Sequence, residues 1–264
     1  MIRTGIGGWL YPDWRKGNFY PAGLPQKREL EYAARTLGAI EINGTYRSLQ
    51  KPESFRRWRE ATPAGFVFAV KGSAYVSNRK ALASSGEALA RFFAQGLEEL
   101  GDRLGPIVWQ LMGTKKFDPG DIAAFFDLLP RELNGLPLRH AIETGHESFA
   151  CAEFVDLARK AHVAIVWCEQ AGRTPIADRT AEFAYLRCKN LEAANPTGYA
   201  PKNIARIASL CRAWQNGEAP PALPYAGNPA DSQGRGGEVF AFMINGAKER
   251  APAAALALAE RLAG

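Results

Sequence analysis

Three polar side chains of different chemistry stand close together at the end of an apolar run: the carboxylate of Glu41, the amide of Asn43 and the phenol of Tyr46. If residues 39–43 form a strand, the alternation of side chains places Glu41 and Asn43 on one face and the neighbouring isoleucines on the other. A carboxylate can transfer protons, and an amide or a phenol can hydrogen-bond a ligand. The stretch therefore predicts a functional surface, and an amphipathic strand with Glu41 in solvent is the alternative.

Polar or aromatic residues also stand at or just after the ends of other strand-like runs. Lysine and arginine neutralise anionic groups, and arginine can do so with two parallel hydrogen bonds. Two carboxylates can divide acid and base roles when their environments separate their pKa values. We therefore predict Glu41 and Glu143 as catalytic residues and the remaining ones as substrate-binding residues. The predicted binding residues are Trp9, Asn43, Tyr46, Lys71, Gln110, Arg187 and Asn245.

These residues are distributed along a regular alternation of strands and helices. Apolar residues at helical spacing separate most of the strand-like runs. Eight such runs begin near residues 2, 39, 66, 106, 138, 163, 182 and 238. The predicted helices cover residues 26–37, Pro52 to a point before Pro63, 84–100, 119–128, 151–160, 201–215 and 251–262.

Alternating strands and helices imply a parallel sheet with helical crossovers. Eight units predict an α/β fold, a TIM-barrel-like (β/α)8 closed parallel barrel that forms a single domain over residues 1–264. An open doubly wound sheet is the alternative, but no G-x-G-x-x-G motif in the required context supports a dinucleotide fold. In a barrel the carboxyl ends of the strands meet at one mouth. We expect the predicted site residues, together with Glu169, to gather there.

Two connections are unusual in length. The connection over residues 171–181 is too short for a full helix. The connection over residues 216–237 is long and rich in Gly, Pro and Asn. Loops of that length often cover a site.

Many separated motifs, most of them in the first 110 residues, agree in order with one family pattern. They are Gly5-x-Gly7-Gly8-Trp9-x-Tyr11-x-x-Trp14, Phe19-Tyr20-Pro21, Tyr32-Ala33, Glu41-x-Asn43-x-Thr45-Tyr46, Trp58, Pro63, Phe66-x-Phe68-x-x-Lys71, Gln110 and Glu143. In these positions the chain resembles the YecE-like family, also known as domain of unknown function 72. The resemblance implies a TIM-barrel-like fold and no settled biochemical function.

The second half of the chain departs from that pattern. Gly145 and Phe149 stand where the resemblance implies an arginine and a tryptophan. Arg187 is retained, but Lys189 replaces the histidine that the resemblance implies two residues later. A ligand bound through the missing groups would be lost or changed. The chain therefore represents a divergent branch with altered specificity or a barrel with a degraded site.

The composition is that of an ordinary globular protein, with 264 residues and a net charge of +6. The positive charge favours an anionic partner, either a small molecule or nucleic acid. The four cysteines form no C-x-x-C pair, so neither a zinc site nor a disulfide framework is indicated. No apolar stretch is long enough for a signal peptide or a membrane span. We expect a cytoplasmic protein without a membrane partner, and no oligomeric state is predicted.

The predicted mouth fits three functions. The first is a hydrolase-like enzyme acting on a phosphorylated or sugar-containing anionic substrate. Glu41, Glu143 and Glu169 with His146 form an oxygen-rich set suited to a divalent metal, Mg²⁺ or Mn²⁺. The second is a non-catalytic nucleic-acid or phosphate-binding protein whose aromatic residues stack bases. The third is a divergent barrel with a degraded site.

Overall fold

Eight parallel strands form the barrel in the computed structural model, which describes residues 1–15, 17–173 and 175–264. The sheet runs in sequence order from β1 to β8, and β8 pairs with β1. The sixth strand has two segments, of which the first pairs with β5 and the second with β7, so that the barrel closes through it. The strands are β1 (Ile2–Gly7), β2 (Ala39–Ile42), β3 (Val67–Lys71), β4 (Leu104–Gln110), β5 (His140–Glu143), β6 (Ala164–Ile165 and Trp167–Glu169), β7 (Phe183–Cys188) and β8 (Glu238–Met243).

Helices cover the outside of the barrel after every strand except β6. In the described part of the β6–β7 connection there is no helix, as its length predicts. Proline is the first residue of three of the helices, where its missing N–H costs nothing. The helices of this outer layer are α1 (Glu29–Thr36), α2 (Pro52–Glu60), α3 (Gly86–Phe93), α4 (Pro119–Leu128), α5 (Ala152–Lys160), α6 (Pro201–Gln215) and α7 (Ala251–Ala263), and two further one-turn helices, Gly44–Arg47 and Ala74–Ser77, lie just after β2 and β3.

The fold class and the eight strands are confirmed, and the main difference lies in the helix predicted over residues 84–100. That segment splits into α3 and a 3-10 turn at Leu97–Arg103. Gly96 between them has φ +96°, a left-handed conformation that ends a helix and that glycine adopts without strain. A short two-stranded hairpin at residues 132–137 also lay outside the prediction.

The side chains that fill the barrel interior are small on one side of the barrel and aromatic on the other. Small side chains on β2 to β5 face large rings on β7 and β8, so that the volumes complement each other. Rings of Phe240 and Phe242 stack with centroids 6.4 Å apart, and Tyr185 lies 5.2 Å from Phe242. On β7 the apolar filling ends at Tyr185, and Arg187 follows it on the same face.

None of the helices in the described part of the chain is long and apolar enough to cross a membrane.

Candidate active site at the barrel mouth

Five polar side chains continue the inward face of the strands beyond the apolar interior. Because side chains alternate along a strand, the residue two positions after an inward-facing residue also faces inward. Ala39, Ala69, Val108, Ala141 and Tyr185 belong to the interior cluster. The residues two positions further along the same strands are Glu41, Lys71, Gln110, Glu143 and Arg187.

Arg187 is the centre of this set and joins two carboxylates from different strands. Its Nη2 donates to Oε1 of Glu41 at 2.9 Å, and its Nη1 donates to Oε2 of Glu143. The Tyr185 hydroxyl donates to Oε2 of Glu41 at 2.7 Å. All four side chains are at most 2% exposed. A buried pair of carboxylates on one guanidinium satisfies the charges that burial would otherwise penalise.

Glu143 has two further partners at its other oxygen. Oε1 accepts hydrogen bonds from Nζ of Lys189 and, at 3.0 Å, from Nε2 of Gln110. Burial raises the pKa of the Glu143 carboxyl, but the charges of Arg187 and Lys189 outweigh it and hold the pKa at about 2. Glu143 is therefore a carboxylate at neutral pH.

Lys71 also faces inward. Among the described residues it forms no ion pair, because Glu41 and Glu143 are bound to other cations. Its Nζ lies 4.0 Å from the centre of the Tyr46 ring. Burial and the neighbouring Arg187 charge lower the pKa of Lys71 to about 8, although Glu41 and Glu143 act in the opposite direction. Lys71 can therefore exchange a proton close to neutral pH.

Competitive acylation should detect this shift directly. We expect the reactivity of Lys71 towards an acylating reagent to rise with a midpoint near pH 8, since only the free amine reacts and its pKa is about 8. Mass spectrometry of the labelled peptides across a pH series measures the midpoint, with the exposed Lys202 as internal reference. A Lys71 midpoint near the ordinary lysine value of 10.5 would contradict the assignment.

A polar cavity of about 400 Å³ borders this set at Gln110. Its charged lining residues are the cations Arg173 and Lys189. Its other polar groups are amides and one phenol, and three of the predicted binding residues take part: Tyr46, Gln110 and Asn245. Amides donate and accept hydrogen bonds as hydroxyl groups do, and cations attract anions.

Two other predicted binding residues, Trp9 and Asn43, line a separate cavity of about 340 Å³. Lys248, just before α7, also lines it, and its Nζ lies 5.0 Å from the Tyr11 ring. Burial lowers the pKa of Lys248, and the charge of Glu41 acts against this. Five of the predicted binding residues are therefore divided between two cavities where the sequence predicted one site.

Glu169, expected at the mouth with the others, points to the helix layer. Ala164 and Val166 face the interior, so the alternation turns Glu169 outward. Its Oε1 accepts a hydrogen bond from Arg206 on α6 at 2.5 Å. The strand was predicted to end at Cys168, so Glu169 was placed after the strand and the alternation was not applied to its side chain.

The metal set proposed from the sequence does not assemble. Glu41 and Glu143 bind Arg187, while Nδ1 of His146 lies 2.9 Å from the Ser148 hydroxyl. Within residues 1–15, 17–173 and 175–264, no group of three or more His, Cys, Asp or Glu side chains is placed to hold a metal ion.

Several residues of the mouth were absent from the predicted set. Lys189 follows Arg187 at strand spacing, and that spacing was the available signal. Lys248 and Arg173 lie on connections, where periodicity carries no information. The guanidinium of Arg173 fills the space that a side chain at position 145 would need: a Cβ on Gly145 would lie 2.5 Å from Nη1 of Arg173.

Comparisons with known proteins bear on the fold and the family. The model of the family described as protein of unknown function DUF72 matches residues 3–264. The UPF0759 protein YecE of Escherichia coli K12 is 34% identical over 144 residues, which cover 53% of this chain and 49% of that protein. The alignment thus spans about half the length of this curated relative.

Two solved structures resemble the barrel over nearly its whole length. A DUF72 family protein from Thermotoga maritima MSB8 has a TM-score of 0.75 at 20% identity, with 100% of both chains covered. A D-psicose 3-epimerase, crystallised in the presence of D-fructose, has a TM-score of 0.54 at 14% identity, covering 99% of this chain and 100% of that one. At these identities the likeness concerns the fold alone.

Proposed function

The chain belongs to the DUF72 family of proteins of unknown function, and from that premise we propose that it is an enzyme acting on a small anionic, hydroxyl-rich substrate at the barrel mouth. A phosphorylated sugar or a sugar acid has this chemistry. The observation that carries the proposal is the lining of the 400 Å³ cavity, in which the charged groups are cations and most other polar groups are amides.

The roles within the site follow from the hydrogen bonds and charges. Glu143 stays ionised at neutral pH and is a poor proton donor. Lys71, with a pKa of about 8, is the better candidate for giving and taking a proton in the hydrolase-like reaction predicted from the sequence. Glu41 and Glu143 then serve to hold Arg187 and Lys189 in position and to balance their charge.

Calorimetric titration with glucose 6-phosphate and with glucose tests the proposal. We expect the phosphorylated sugar to bind more tightly, because the cavity cations interact with the phosphate. Asn245 is exposed at the cavity edge, so Asn245→Ala should leave the fold intact and weaken binding by about 1 kcal/mol, the value of one hydrogen bond. Equal affinity for both sugars would contradict an anion site.

A second candidate, nucleic-acid or phosphate binding without catalysis, is favoured by a basic groove beside the mouth. The groove has a volume of about 760 Å³ and carries Arg79, Lys80, Lys115 and Lys116. Lys115 is paired with Asp121, whereas Lys80 and Lys116 are exposed. The groove is therefore suited to a longer polyanion than the polar cavity can hold.

Oligonucleotide binding by anisotropy in a salt series separates the candidates. A nucleic-acid partner requires log affinity to fall with log salt at about −0.9 per phosphate for a duplex or −0.7 for a single strand. The double variant Lys80→Ala, Lys116→Ala should then lose that affinity. Failure of both sugar phosphate and oligonucleotide to bind would favour a degraded site.

A cytoplasmic location remains our proposal. Its support is the set of four free cysteines, three of them buried, which suits a reducing compartment.

A further inference from the structure

Arg173 lies on the connection between β6 and β7 and reaches across the mouth. Its guanidinium rests against the backbone of two glycines from other connections. A Cβ on Gly113 would lie 2.8 Å from Nη2 of Arg173, and a Cβ on Gly145 would lie 2.5 Å from Nη1. The guanidinium therefore occupies space that is available only because both residues lack a side chain.

This position places Arg173 between two cavities. It lines the polar cavity of about 400 Å³ and also a neighbouring cavity of about 320 Å³ that contains Gly145, His146 and Cys168. Arg173 thus borders two spaces that a ligand can enter.

The other arginines and lysines near the carboxyl ends of β5 to β7 are already engaged. Arg187 is bound by Glu41 and Glu143, Lys189 by Glu143, and Arg206 by Glu169. Among the described residues, Arg173 has no ion-pair partner. Its charge is therefore available to a ligand, and its planar fork matches a phosphate or a carboxylate with two parallel hydrogen bonds.

We propose that Arg173 is the anion anchor of the site and binds the phosphate or carboxylate group of the substrate. The inference rests on the proposed function and names the residue that selects for anionic substrates. The backbone of the two glycines packs against the guanidinium, while Lys189, the other cavity cation, keeps its ion pair with Glu143 and adds positive charge to the lining.

The first test uses titration calorimetry with inorganic phosphate, glucose 6-phosphate, gluconate and glucose. Arg173→Ala should weaken binding of the anions by roughly 10- to 100-fold, the range for hydrogen bonds to charged groups, and leave glucose binding unchanged. Arg173→Lys should recover only part of the affinity, because ammonium lacks the bidentate fork. The phosphate and gluconate arms distinguish a phosphate ligand from a carboxylate ligand.

Arg91→Ala is the matched control for net charge. Arg91 lies on α3 with a 71% exposed side chain, away from the cavities that Arg173 lines. Removing it changes the total charge equally, so anion binding should stay within about two-fold of wild type, since surface charges at a distance are screened.

Gly113→Ala provides a second variant that leaves Arg173 in the chain. The Cβ that this change adds meets only the end of Arg173 within 4 Å, and Gly113 does not have a positive φ. It should displace the guanidinium and weaken anion binding, and it should have no further effect in the Arg173→Ala background. Thermal unfolding of each variant verifies that the fold is retained.

Different results would overturn the inference and the proposed function. If Arg173→Ala and Gly113→Ala both bind the anions as tightly as wild type, the inference is wrong and the proposed function stands. If wild type prefers none of the anions to glucose, the proposed function fails and the inference fails with it.

Discussion

Replacing Arg187 with methionine is expected to lower the free energy of unfolding by about 3–5 kcal/mol, the cost of leaving a buried charge without its partner. The guanidinium binds both Glu41 and Glu143, and all three side chains are at most 2% exposed. Without Arg187, two carboxylates remain in a buried space with only Lys189 as a bonded cation. Urea denaturation at pH 7 measures the difference.

Arg206→Met is the matched control for this change. Arg206 also pairs with a glutamate, Glu169, but its side chain is 48% exposed. An exposed pair contributes about 0–1 kcal/mol, so this variant should remain close to wild type. If Arg187→Met were equally mild, the buried network would not be an important source of stability.

The stability of Arg187→Met should change with pH in the opposite direction to the stability of wild type. Burial without a counter-charge favours the protonated form of a carboxyl group. Lowering the pH then removes negative charge from the buried space that Arg187 occupied and reduces the deficit of the variant. A deficit that grows on acidification would mean that the glutamates had found other cationic partners.

Acidification of the wild-type protein should remove roughly 3 kcal/mol of stability through Glu143 alone. The pKa of Glu143 is lowered from 4.5 to about 2, because Arg187 and Lys189 outweigh the effect of burial. A carboxyl whose pKa is depressed in the folded state stabilises that state above its unfolded pKa. The contribution is therefore complete above about pH 4.5 and is lost as the pH falls towards 2.

The measurement compares wild type with Glu143→Gln in denaturant titrations from pH 6 to pH 2. The stability advantage of wild type should shrink as the pH falls, because protonation makes the glutamic acid resemble the neutral amide. Glu87→Gln, at an exposed pair with Arg91, should differ little from wild type at every pH. A constant advantage of wild type down to pH 2 would exclude the predicted linkage.

Most of the fold could be predicted from the sequence. Apolar runs identified the eight strands, helical spacing identified most of the helices, and Pro52 marked the start of one of them. These signals are local, because strand and helix periods repeat along the chain itself. The split of residues 84–100 was not predicted, because it depends on the left-handed conformation of Gly96 between α3 and the following 3-10 turn, which apolar spacing does not show.

Part of the candidate site could also be predicted, since alternation along each strand places Glu41, Gln110 and Glu143 on the inward face. Glu169 shows the limit of that reasoning, because alternation gives the direction of a side chain only for residues that are known to belong to the strand. The alternation tells which face a residue occupies but not which residue from another strand it meets.

The ion pairs at the mouth and the position of Arg173 on its connection follow from the tertiary structure and not from any local pattern. Arg187 meets Glu41, which is 146 positions away, because barrel closure brings β2 and β7 to the same level. Arg173 enters the mouth because Gly113 and Gly145 leave room for it. The strands and the inward-facing polar residues could be predicted from the sequence, since their periodicity repeats along the chain. The ion pairs depend on distances between residues on different strands of the closed barrel. A local sequence pattern contains no information on those distances, so it does not show which charges are paired and which are available to a ligand.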